Sequence, residues 1–133
     1  MDLANARVGQ LSIPVQDFER GVAFFRDTLG LPFLFSAPPQ MAFFQCGYVR
    51  LLVGVPPKDE PPQRPCTTIY FHVEDIEAVH ETLRRRGVRF RSEPHAVHRS
   101  GAMELWLAEF EDPDGNSLAL MCEMVAPAAV QPA

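Results

Sequence analysis

Gln10-Leu-Ser-Ile-Pro-Val-Gln-Asp17-Phe-Glu19 and Thr68-Ile-Tyr-Phe-His-Val-Glu-Asp75-Ile-Glu77 are two copies of one pattern. In each, a short alternating strand runs into Val-x-Asp, and the Asp stands where a helix N-cap is needed. Phe18, Val22, Phe25 and Leu29 then form one apolar stripe at helical spacing, as do Ile76, Val79 and Leu83. Gly30 and Gly87 follow, where a left-handed residue ends a helix. Strand-like material comes next, at 31–36, 41–46 and 48–55 in the first copy and at 88–92, 102–110 and 116–123 in the second. Asp112-Pro-Asp-Gly-Asn116 joins the last two strands with turn residues.

The pattern predicts an α+β chain of two βαβββ modules in tandem. The boundaries expected are 1–55 for the first module, 56–65 for a proline-rich linker, 66–124 for the second module and 125–133 for a disordered tail. A βαβββ unit covers one sheet face with its helix and leaves the other open. Two such units with curled mixed sheets can enclose a shared cavity, and clefts of that kind are where small molecules bind.

Bulk properties narrow the function. The 133 residues carry a formal charge of −5, with 47% hydrophobic and 22% charged residues, as in an ordinary globular chain. A nucleic-acid reader shows a basic face, and the run Arg84, Arg85, Arg86 is better explained as the cationic end of a helix. No run approaches the ~18 apolar residues that span a bilayer, and residues 1–7 lack a signal-peptide core. Cys46, Cys66 and Cys122 show no paired spacing and read as reduced, buried thiols, so the expected location is cytoplasmic. Neither a Gly-x-Gly-x-x-Gly or P-loop pattern nor a Gly-x-Ser-x-Gly elbow occurs.

The paired Val-x-Asp helix starts, Phe24-Phe25-Arg26-Asp27-Thr-Leu-Gly-Leu31 and the Asp112-Pro-Asp-Gly-Asn116 turn resemble the vicinal oxygen chelate superfamily, the glyoxalase, bleomycin-resistance and dioxygenase-like proteins. The resemblance extends over residues 8–123 and rests on the order and spacing of these motifs. Most members are metalloenzymes, whereas the bleomycin binders sequester a drug without a catalytic metal. The resemblance implies metal ligands on the first and last strand of each module. Those positions hold Gln10 and Leu52 in module one and Thr68 and Ala119 in module two. Only Gln10 can ligate, and one amide oxygen does not hold a divalent ion. The expectation is therefore no metal and no cofactor, with a divalent metal as the alternative.

Strand alternation puts Gln10, Ser12 and Pro14 on one face, Thr68, Tyr70 and His72 on another, and Ser117, Ala119, Met121 and Glu123 with them. His72 and Glu123 lie four residues past the family positions, a displacement of ~13 Å, so pocket lining suits them better than a relocated metal site. Arg50 shares a face with Leu52 and either favours an anionic ligand such as a carboxylate or phosphate or makes a rim salt bridge. Phe44, Tyr48 and Trp106 form either an aromatic wall or core. His95 and His98, placed in a segment before a strand, are read as loop or pocket-rim histidines, as a substrate contact or acid–base group, or as metal ligands; on a regular extended chain their rings point to opposite faces.

Two readings follow. One is a metal-independent binder of a small organic molecule. The other is a lyase, isomerase or dioxygenase-type enzyme with a site rebuilt around Gln10, His72 and His95 or His98. In both the chain is expected as a homodimer with no nucleic-acid or membrane partner.

Overall fold

The computed structural model describes residues 1–2, 4–5, 7–58 and 67–125. The chain divides into two compact units, Met1–Pro65 and Cys66–Ala133. Most of the expected linker and tail lies outside the described residues, as does Cys66; Val125, expected in the tail, closes the last strand.

Unit one runs β1 (Gln10–Pro14), α1 (Phe18–Ala23), a π-helical turn (Phe24–Thr28), β2 (Phe33–Ala37), β3 (Met41–Cys46) and β4 (Val49–Gly54). Asp17 caps α1, its carboxylate accepting from the Arg20 N–H at 3.0 Å. The helix widens after Ala23, where the Leu29 N–H reaches back to the Phe24 carbonyl at 2.9 Å, five residues away. Gly30 then leaves it at φ 75°. The sheet order is β1-β4-β3-β2, with β1 parallel to β4 and the other pairs antiparallel. Ile13, Val15, Val22, Phe25, Ala42, Phe44, Leu51 and Val53 make the core. Gly21 lets α1 pack closely on Val15 after β1, where a Cβ would stand 3.0 Å from Val15 Cγ1 and that side chain would have to give.

Unit two repeats the plan: β5 (Ile69–His72), α2 (Ile76–Arg85), β6 (His95–Ser100), β7 (Met103–Glu111) and β8 (Ser117–Val125), in sheet order β5-β8-β7-β6. Asp75 caps α2 by accepting from the Ala78 N–H at 3.0 Å, and Gly87 ends the helix region at φ 91°. The core joins Ile76, Leu83 and Val88 to Ala108, Phe110, Leu118, Leu120 and Cys122. Each unit is thus a mixed four-stranded sheet covered on one face by its helix, the tandem βαβββ plan, and neither sheet closes on itself.

One expected strand moves. Residues 88–92 make only an isolated bridge, Phe90 to Phe110, with an Arg91 N–H to Glu109 carbonyl hydrogen bond of 2.7 Å. The outer strand is β6, which begins just after Pro94, a residue with no N–H to give a ladder. His95 and His98 therefore lie on an edge strand and not in a loop.

Both outer strands carry a bulge. In β2 the register slips between Phe33 and Phe35, and in β6 between Ala96 and His98. An extra residue in a strand resets which face the following side chains take.

Candidate functional site

The open face of unit one is built from three rows across β1, β4, β3 and β2. Register places Gln10 beside Arg50 and Gln45, Ser12 beside Leu52, Phe43 and Phe35, and Pro14 beside Gly54, Met41 and Ala37. The opposite parity is spent on the core: Phe44 is fully buried, 6.2 Å from Phe25 of the helix and 5.6 Å from Phe33. Phe44 is therefore core and not pocket wall. Its neighbour Phe43 takes the open face, stacked on Phe35 with centroids 4.5 Å apart and planes 25° apart. The β2 bulge is what separates Phe33 from Phe35 across the sheet.

Arg50 crosses this face. Its Nε donates to Gln10 Oε1 at 2.7 Å, and its guanidinium carbon lies 5.3 Å from the Phe43 ring centroid. Gln45 turns its amide back to the Gly47 carbonyl and leaves Arg50 to Gln10 and Phe43. No carboxylate pairs with Arg50 among the described residues, so the rim salt bridge considered for it does not form there. One row along, an open pocket of about 140 Å³ is lined by Ser12, Pro14, Met41, Leu52, Gly54 and the chain at Val55, Pro56 and Pro57. Tyr48 stands apart in the β3–β4 turn, 85% exposed, with the Arg7 guanidinium 5.7 Å from its ring, and it forms no wall on this face.

In unit two the open face carries Tyr70 and His72 from β5, with Thr68 just before that strand, and Ser117, Ala119, Met121 and Glu123 from β8, with Leu105, Leu107 and Glu109 of β7 in the same rows. Tyr70 is 52% exposed, His72 and Glu123 are exposed, Met121 is half-buried and Ala119 is fully buried. Thr68 Oγ1 donates to Ser117 Oγ at 2.9 Å. Trp106 shares its parity with Ala108 and Phe110, so it belongs to the helix side and not to an aromatic wall on the open face. Its indole nitrogen is buried without an acceptor among the described residues.

The β6 bulge corrects the histidine pair. His95 stands opposite Leu107 and His98 opposite Leu105, so Val97 is the extra residue and both rings share the open face. His95 Nδ1–H donates to the Glu93 carbonyl at 2.8 Å. His72 is in the same row as His95 but on the far edge of the sheet, three strand spacings or about 14 Å away. Those two cannot share one ion or one proton.

The ligand set implied by the fold does not fit a metal. Leu52 and Ala119 offer no ligand atom, and Thr68 offers one weak hydroxyl, which donates to Ser117 Oγ. Gln10 Oε1, the one good donor atom, accepts from a guanidinium. A cation is already seated on the atom that a second cation would need. Among the described residues no three His, Cys, Asp or Glu side chains gather as a metal group. Cys46 and Cys122 are free thiols; burial raises the Cys46 pKa, and Cys122 donates to the Glu74 carbonyl at 3.4 Å.

Comparison with known proteins agrees with the fold. The model of the glyoxalase/bleomycin resistance protein/dioxygenase superfamily matches residues 7–120, and the chain belongs to that superfamily. It is 28% identical over 123 residues to YraH of Bacillus subtilis (strain 168), described as uncharacterized, covering 84% of this chain and 94% of that one. A superfamily member from Sphaerobacter thermophilus superposes with a TM-score of 0.73 at 26% identity, over 88% of this chain and 97% of its own. TnmS3, an antibiotic binding protein from Streptomyces sp. CB03234, gives 0.71 at 22% identity, over 92% and 100%.

Sequence reasoning missed Phe43, Phe35 and Met41. Alternation alone leaves the parity of Phe43-Phe44 undecided; the four-residue span of the β3–β4 turn, Cys46 pairing with Val49, fixes it.

Proposed function

We propose that the protein binds a small organic molecule on its open sheet faces without using a divalent metal. The observation that carries this reading is the Gln10–Arg50 pair. A family-type metal site needs the Gln10 amide oxygen free, and here a guanidinium occupies it at 2.7 Å. What remains on that face is a partly apolar pocket, a stacked aromatic pair and a directed cation. Such a surface suits binding. The family includes drug-binding proteins, and a structural neighbour is an antibiotic binding protein. A pocket of about 140 Å³ is smaller than the ~300 Å³ at which drug-sized sites begin, so it takes one group of the ligand and not the whole of it.

The test is a thermal-shift screen of organic compounds in EDTA, because a ligand that binds only the native state raises the melting temperature. Stabilisation that persists in EDTA fits the reading; stabilisation that appears only with an added divalent ion sinks it.

A second reading, catalysis, is favoured by one observation, the alignment of His95 and His98 on one sheet face. It predicts turnover lost in His95→Ala. We further propose a cytoplasmic homodimer. The exposed outer strand β2, with Phe33, Leu34 and Phe35 each above 40% exposed, is a surface that a second copy would cover. Light scattering decides it. No helix among the described residues is long and apolar enough to cross a membrane.

A further inference from the structure

Arg50 is a cation with a fixed direction and no carboxylate partner among the described residues. In a chain with 17 acidic and 12 basic residues, four arginines hold carboxylates: Arg26 holds Asp27, Arg84 and Arg85 hold Glu81, and Arg91 holds Glu111. Arg50 instead spends its Nε on the neutral Gln10 and sets its guanidinium over the Phe43 ring, which is itself stacked with Phe35. Those contacts settle the orientation of the guanidinium and leave the N–H groups of its two terminal nitrogens for something else. A planar fork held in this way matches a carboxylate in two parallel hydrogen bonds.

The neighbourhood says what the carboxylate is attached to. Leu52 lies two residues along β4 from Arg50 on the same face, a rise of ~6.6 Å. There it enters the pocket with Ser12, Pro14 and Met41, three carbon-rich walls and one hydroxyl. Moving from Arg50 to Leu52 therefore takes a bound molecule from a charged end to an apolar one over about the length of a benzene ring with one linking carbon. A phosphoryl group, with its second charge, would be left half-neutralised by a single arginine, and none of the residues lining the pocket is charged.

Resting on the small-molecule-binding reading above, we propose that Arg50, Gln10 and the Leu52–Met41 pocket form a subsite for a small organic carboxylate with a compact apolar, preferably aromatic, body. Gln10 is a positioning residue for Arg50. Phe43 serves as the platform on which the guanidinium rests.

The experiment titrates paired probes by calorimetry in EDTA: phenylacetate against phenylacetamide and benzoate against benzamide, with wild type, Arg50→Gln and Arg50→Lys. Each acid is expected to bind wild type about tenfold more tightly than its amide, the worth of one charge-assisted hydrogen bond replacing a neutral one. Arg50→Gln should erase that preference. Arg50→Lys should keep part of it, since the charge stays and the fork goes. Arg50 is exposed, so both variants should retain the wild-type circular dichroism and melting profile. Equal binding of acid and amide, or a preference that survives in Arg50→Gln, overturns the carboxylate assignment and leaves the binding reading standing. No binding of any probe overturns the assignment too, and the binding reading then stands or falls on the wider compound screen.

Discussion

At the scale of single residues, two buried or directed side chains carry most of the account. Gln10 holds Arg50 by one neutral-to-charged hydrogen bond of 2.7 Å on an exposed face. Gln10→Ala should weaken carboxylate binding about fivefold, the worth of ~1 kcal/mol of positioning, with stability within ~0.5 kcal/mol of wild type. Calorimetry and a denaturant melt check the two halves. Asp112 is different, because it is 4% exposed and anchors its own turn. Its Oδ1 accepts from the Asp114 and Asn116 N–H groups at 2.9 and 2.8 Å, and Oδ2 accepts from Asn116 Nδ2 at 2.7 Å. Asp112→Ala leaves those donors stranded and should cost about 2 kcal/mol or more in a denaturant melt. Burial raises the Asp112 pKa, with the hydrogen bonds from Asn116 and Asp114 pulling the other way. The native chain thus holds this proton more tightly than the unfolded one. Stability from this group is greatest below the ordinary carboxylate value and declines as pH rises through the raised one. Asp112→Asn should remove that slope from the pH dependence of the melting temperature.

At the scale of elements, much was legible because local chemistry dictates it. Asp17 and Asp75 cap α1 and α2 as the Val-x-Asp repeat implied, and Gly30 and Gly87 take positive φ beyond them. Each cap carries a prediction: Asp75→Ala should cost about 1 kcal/mol of stability, read as a lower denaturant midpoint at unchanged slope. Edge strands were less legible. The residues of β6 are all exposed, so its sequence, His95-Ala-Val-His98-Arg-Ser100, bears no buried-face alternation to recognise. Its partner β7 determines the pairing, and the bulge at Val97 turns a pair expected on opposite faces into a pair on one. The parity of Phe43-Phe44 and of Trp106 was hidden for a related reason. A face is assigned by register with a neighbour, and single-strand periodicity reports it only when one side is polar.

At the scale of the whole molecule, the internal repeat made the α+β tandem βαβββ plan readable, and the superfamily match over residues 7–120 agrees with it. Function is less readable because this fold hosts binding and catalysis alike, and the difference lies in a few side chains. The family resemblance implied four ligand positions, Gln10, Leu52, Thr68 and Ala119. That the surviving Gln10 is taken by Arg50 was not, since their pairing depends on the parallel β1–β4 register across 40 residues of sequence. The most direct test of the central claim is elemental analysis after incubation with Mn²⁺, Fe²⁺, Ni²⁺, Co²⁺ or Zn²⁺ and desalting. The account predicts a metal content near zero, the same in wild type and Gln10→Ala. About one ion per chain, lost in Gln10→Ala, would contradict it and restore the metalloenzyme reading.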